Sequence, residues 1–324
     1  MDDKRVARYR AAEVAGWRAC GVRFKDRWVE VPKHGIRVRI LEAGEGPAVL
    51  FVHGLPAAGS IWAPLVARVR GHRCLVLDRP GCGLSQPLSP VPATPAGALV
   101  DVQAAVLDAL GIEQLDVVGS SFGGASVLWL ARARPDRVNR IVLEGAPATV
   151  AFRPTPGNRI LAAGPLGRYV ARRRSSRSGL EMVFRQVGHD RLVDDGWPQG
   201  PMLDLLLAMY NDTDTLANET AQLQAVLGWR GFRRGALFDP ADFRWIDRPT
   251  LWLWGTEDPY APVTEGRAWA AAMPDATFEL LDGAGHMPWL DDPEGHARRI
   301  ERFLVDRRTE RRTEASDLVR AAVG

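Results

Sequence analysis

The stretch at residues 115–125, LDVVGSSFGGA, constrains this chain more than any other. A short apolar run (Leu115, Val117, Val118) enters Gly119-Ser120-Ser121-Phe122-Gly123, and a helix-like segment at residues 125–134 leaves it. Strand, Gly-x-Ser-x-Gly turn, then helix is the context that makes this pattern a nucleophile elbow. A side chain on so sharp a turn takes strained backbone angles, and the neighbouring glycines remove Cβ atoms that would clash there. The turn lifts the Ser121 hydroxyl above a sheet edge. It also aims the first helix amides, led by the Phe122 N–H, at charge developing on a bound carbonyl. The same five residues occur in ordinary loops, so the reading depends on whether the chain supplies a base, an acid and a second amide.

The order of elements around the turn predicts the fold. Residues 48–52, 73–78, 115–118 and 137–143 read as short apolar strands, with helices between them at 60–69, 98–110 and 125–134. That alternation implies a parallel sheet covered by helices on both faces. Residues 28–31 and 36–42 form a hairpin through Pro32-Lys33-His34-Gly35. Residues 146–245 contain no clear strand. They hold an Arg-rich segment and helical runs near 180–187, 202–210 and 215–227. The alternation resumes with strands at 250–254 and 277–281 and helices at 264–273 and 293–305. The expectation is an α/β core over 28–145 and 246–306, carrying an inserted helical cap, or lid, over 146–245. Residues 1–27 form an N-terminal helical extension, with its helix at 6–20, and residues 307–324 a charged tail.

Composition excludes several classes. A net charge of +3 over 324 residues, with no basic, aromatic-interleaved element, argues against nucleic acid as a partner. No apolar run approaches the roughly 20 residues of a membrane span, and residues 1–21 are too charged to be a signal peptide. Cys20, Cys74 and Cys82 are odd in number and irregular in spacing, which argues against a disulfide framework and against a metal site. The expectation is a cytoplasmic protein without cofactor that takes a small-molecule substrate.

A serine hydroxyl needs a base within about 3 Å to take its proton. Of six histidines, His286 has the best context, in Asp282-Gly283-Ala284-Gly285-His286-Met287-Pro288 just past the last strand. A loop there lies on the same sheet edge as the elbow. The base needs a carboxylate to fix its tautomer. Asp258, in Gly255-Thr256-Glu257-Asp258-Pro259, follows the preceding strand. Glu257 and Glu144 are its rivals. The second oxyanion amide belongs in the loop His53-Gly54-Leu55-Pro56; Pro56 has no N–H, so Leu55 is the candidate. His53 props this loop, and Asp78-Arg79-Pro80-Gly81 holds a turn beside the site. His34, His72 and His296 read as surface residues, and His189 is the cap histidine that faces substrate if any does. His53, Trp197, Met202, Tyr210 and Met287 are candidate substrate-lining residues, with Trp229 and Trp245 as further aromatic candidates.

Taken together, His53-Gly54-Leu55-Pro56, Asp78-Arg79-Pro80-Gly81-Cys82-Gly83-Leu84-Ser85, Gly119-Ser120-Ser121-Phe122-Gly123, Gly255-Thr256-Glu257-Asp258 and Gly285-His286 resemble the α/β-hydrolase fold superfamily in its capped branch. The resemblance covers residues 28–305 outside the cap. It implies a mixed, mostly parallel eight-stranded sheet and the triad order Ser121, Asp258, His286. It also implies a serine hydrolase that cleaves a small-to-medium ester, thioester or lactone through an acyl-enzyme. Haloalkane dehalogenases and epoxide hydrolases of this architecture carry Asp at the elbow centre, where this chain has Ser121. Ring-fission C–C hydrolases keep the serine triad and are the main alternative, although Met287 stands where they often have an aromatic residue. Arg168, Arg172, Arg173, Arg174 and Arg177 are then either partners for a substrate carboxylate or a solvated face. Cofactor-free perhydrolases share the triad, and a non-catalytic ligand-binding protein is the remaining reading.

Overall fold

A computed structural model describes residues 1–228 and 231–305. The strands are β1 (Lys25–Val31), β2 (Ile36–Ala43), β3 (Ala48–Val52), β4 (Arg73–Asp78), β5 (Leu115–Ser120), β6 (Val138–Glu144), β7 (Leu227–Gly228), β8 (Gly231–Phe232), β9 (Thr250–Gly255) and β10 (Ala276–Leu281). Eight of them form one sheet in the order β1-β2-β4-β3-β5-β6-β9-β10. Within this sheet β1 and β4 both run antiparallel to β2, and the other pairings are parallel. The chain leaves β3 outward to β4 and then returns to β5 on the other side of β3. That reversal opens a crevice at the carboxyl ends of β3 and β5, where open α/β sheets place their sites.

Burial explains which strands are central. β5 and β9 are buried at every residue, whereas edge strand β10 is half-exposed along its length. Within β3, Leu50 and Val52 pack on one face and Val49 and Phe51 on the other. The first face packs on α3 (Ala96–Ala109), α4 (Phe122–Ala133) and α11 (Val263–Ala271). The second packs on α2 (Ala63–Val66) and α12 (Pro293–Val305).

Between β6 and β9 lie α5 (Pro156–Ala162), α6 (Gly164–Ala171), α7 (Arg177–Gln186), α8 (Asp190–Asp194), α9 (Gly200–Asn211) and α10 (Thr215–Val226). The expectation of no strand here needs one correction: β7 and β8 form a hairpin of two residues a side, too short to leave a period-2 signal.

The N-terminal helix α1 (Asp3–Ala19) is docked rather than free. Gly16 meets Leu205 of α9 so closely that a Cβ would sit 2.7 Å from Leu205 Cδ2. Arg8 donates two hydrogen bonds to Asp212, and Arg5 donates to the Thr213 carbonyl. On the inward face of α1, Glu13 meets Arg39, which also pairs with Asp78; all three are fully buried. Burial raises the Asp78 carboxyl to about 6 against the opposing pull of Arg39. The tail expected over 307–324 lies outside the described residues.

Candidate active site

Ser121 follows β5 directly and is the only non-glycine residue with positive φ among the described residues (φ 53°, ψ −120°). The surroundings enforce this strain. A Cβ on Gly123 would lie 2.0 Å from the Val52 carbonyl oxygen, and one on Gly54 2.7 Å from Ser121 Cβ. Only bare backbone fits between β3 and the start of α4. The Phe122 N–H opens α4, and neither it nor the Leu55 N–H donates to another group of the described residues.

Asp258 stands three residues past β9 and is 8% exposed. Its Oδ2 accepts from the Ala146 N–H at 2.9 Å and its Oδ1 from the Tyr260 N–H at 3.0 Å. The His286 Nδ1 lies 2.8 Å from Oδ2, so this nitrogen carries the proton and donates. Nε2 is the nitrogen left for the cavity, which both His286 and Ser121 line. Tyr260 flanks the imidazole, with ring centroids 4.3 Å apart.

The two rival carboxylates have other employment. Glu257 is bonded by the Thr256 hydroxyl, and Glu144 holds His296. Two surface assignments are corrected by burial. His296 is 1% exposed because α12 turns it inward beside Ala297 and Ile300. His72 is 7% exposed, with Nδ1 on the Arg70 carbonyl. His34 is half-buried and paired with Asp101 at 2.9 Å.

His53 does not line the cavity; it is fully buried beneath it. Its Nδ1–H donates to the Gly54 carbonyl and its Nε2 accepts the Arg79 N–H. Burial first, then the Arg79 guanidinium, holds its pKa well below the ordinary histidine value. Arg79 also donates to the carbonyls of His53 and Gly54 and pairs with Glu219 of α10, so it pins the loop that presents the Leu55 amide.

Leu55, Tyr210 and Met287 line the cavity, and the Tyr210 hydroxyl donates to the Pro56 carbonyl at 2.7 Å. Trp197 and Met202 do not. Trp197 packs edge-on against Phe184, and Met202 is buried on the side of α9 facing the core. Trp245 is 60% exposed, and Trp229 lies outside the described residues. His189 does not face substrate either: it is 1% exposed behind the His286 loop.

Sequence reasoning missed the lining from α5 and α7, including Asn158, Val183, Phe184 and Gln186. The signal was present in α7, where Leu180, Val183, Phe184 and Val187 recur at helical spacing. Apart from His286, no Asp, Glu, Lys, Arg or His side chain lines this cavity among the described residues.

Comparison with known proteins agrees with this architecture. The chain is 29% identical over 288 residues to a 2-hydroxy-6-oxononadienedioate/2-hydroxy-6-oxononatrienedioate hydrolase of Cupriavidus pinatubonensis, covering 83% of this chain and 90% of that one. In fold it is similar to a carboxylesterase of Bacillus subtilis (TM-score 0.72, 20% identity, 93% of this chain and 99% of the other). It is also similar to the 2-hydroxy-6-oxo-6-phenylhexa-2,4-dienoate hydrolase of a Rhodococcus strain (TM-score 0.69, 19% identity, 87% and 99%). The family model for the alpha/beta hydrolase fold matches residues 47–293, and the chain belongs to that family.

Proposed function

We propose that this hydrolase is a serine esterase acting on a small-to-medium, largely apolar carboxylic ester, thioester or lactone. One observation carries the reading: the strained Ser121 and the Asp258-bound His286 share a cavity with no other Asp, Glu, Lys, Arg or His in its described lining. His286 Nε2 takes the Ser121 proton as Oγ bonds to the carbonyl carbon. The N–H groups of Leu55 and Phe122 hold the oxyanion, two donors that act where charge develops. The leaving oxygen or sulfur departs with the proton from His286. Water then enters by the same route in reverse and frees the acid and Ser121. Asp258 keeps the proton on Nδ1 and stabilises the imidazolium. The segment 146–245 serves as the cap, since α5 and α7 wall the cavity opposite the sheet.

A second reading is cleavage of a C–C bond in a ring-fission dienoate, drawn from what the Cupriavidus relative is named for. A buried carboxylate without a cation costs several kcal/mol, and the described cavity wall offers none. What keeps this reading is an adjoining groove that shares Leu161, Val183 and Tyr210 with the cavity and is bordered by Arg173 and Arg174. Of the other three arginines, Arg177 is paired with Glu181, Arg168 reaches Gln224, and Arg172 is exposed. The test is turnover of p-nitrophenyl esters of rising chain length beside a coloured ring-fission product. Ester hydrolysis with a chain-length optimum, lost in Ser121→Ala, is expected. Turnover of the dienoate with none of any ester would overturn the esterase reading in favour of the second.

A further inference from the structure

The cap segment does more than wall the cavity: between α7 and α8 it grips the loop that carries the proposed base. Three consecutive amides of that loop are bound. The Gly285 N–H donates to Asp291 Oδ2 at 3.1 Å. The His286 N–H donates to the Val187 carbonyl at 2.9 Å. The Met287 N–H donates to His189 Nε2 at 3.1 Å. The His189 Nδ1 lies 3.2 and 3.0 Å from the two oxygens of Asp291, which fixes the proton on Nδ1 and leaves Nε2 as an acceptor. Only the neutral ring in this tautomer makes both bonds.

The fit is close on both sides. Gly188 has φ +87°, and a Cβ there would lie 2.2 Å from the Glu257 carbonyl oxygen, one residue before Asp258. A Cβ on Gly285 would lie 2.7 Å from His189 Cε1. The Val187–His189 turn is thus wedged against the acid loop and the base loop together. Val187 and Phe184 also line the cavity, so one short stretch of chain touches the substrate space and both loops.

We propose that His189 is a positioning residue for the His286 base, holding the base loop in register through the Met287 amide. The inference rests on the serine hydrolase reading above. Errors of about 1 Å in such geometry cost up to about a hundredfold in rate. A residue that merely stabilises the fold would lower Tm and the fraction of active protein without changing the rate per active site.

The experiment is steady-state hydrolysis of the best p-nitrophenyl ester by His189→Ala and His189→Gln, normalised to the sites titrated by a fluorophosphonate. The pH profile of fluorophosphonate labelling is measured alongside. For His189→Ala the expected result is a fall in kcat per titrated site of about tenfold to a hundredfold. KM stays near the wild-type value and the midpoint of the labelling profile moves. His189→Gln, whose amide can accept from Met287 and donate to Asp291, recovers most of the loss. If His189→Ala does not fold, His189→Phe replaces it, keeping the ring volume but offering no acceptor. Folded variants with wild-type kcat per titrated site and an unmoved midpoint would overturn the inference. If wild type is not labelled, or Ser121→Ala is labelled equally, it is the serine hydrolase reading that fails.

Discussion

Two buried histidine–carboxylate pairs stand at the carboxyl ends of neighbouring strands, and only one shares a cavity with the strained serine of the elbow. His286 Nδ1 lies 2.8 Å from Asp258, past β9; His296 Nδ1 lies 3.0 and 2.9 Å from the two oxygens of Glu144, the last residue of β6. Burial does not distinguish them: His286 is 5% exposed and His296 1%. The surroundings do. His286 shares an apolar cavity with Ser121, whereas His296 borders a polar recess with Asp282, Asp291 and Arg191. A carboxylate-bound imidazole is therefore no signature of catalysis by itself. What decides is the group that the second ring nitrogen can reach.

The largest expected effect is on the first pair. Asp258→Asn should lower kcat by about 10⁴-fold, because the amide favours the wrong tautomer of His286, while Tm changes little. Steady-state kinetics beside a thermal melt checks this. Glu144→Gln should do the reverse, costing about 1–3 kcal/mol of stability through a weakened buried hydrogen bond. A few degrees in Tm, with kcat within about twofold of wild type, is the reading expected from that loss.

His53 supplies a contrast in pH. Its folded-state pKa lies well below the unfolded value of about 6.5, so below that pH the unfolded chain binds a proton that the folded chain refuses. Stability from this group is present above about 6.5 and is lost as pH falls below it. His53→Gln should flatten that part of a denaturation-midpoint profile between about pH 5 and 7. The smallest effect belongs to the half-buried His34–Asp101 pair, which does not line the cavity. Asp101→Asn should shift stability by no more than about 1 kcal/mol and leave kcat unchanged.

The sheet was legible because each strand announces itself locally, and the elbow because its glycines are adjacent in sequence. The places of Ser121, Asp258 and His286 past the ends of strands were legible in the same way, and the structure brings His286 to Asp258 and into one cavity with Ser121. His296 was misread as surface although α12 carried the signal: residues 296, 297, 300 and 304 form its inward face. The supports of the site were not legible, because they come from far along the chain. Arg79 finds Glu219 across 140 residues, and His189 finds Met287 across 98. No periodicity encodes such pairings. Likewise Trp197 and Met202 were suggested by size and apolarity alone, and packing against Phe184 and the α9 core accounts for both.

The most direct test is the second-order rate of labelling by a fluorophosphonate, measured for wild type, Ser121→Ala, Asp258→Asn and Glu144→Gln under one set of conditions. One adduct on Ser121 is predicted, absent in Ser121→Ala, strongly slowed in Asp258→Asn and near wild type in Glu144→Gln. Undiminished labelling of Ser121→Ala, or equal slowing by the two carboxylate variants, would contradict the assignment of His286 and Asp258 to Ser121.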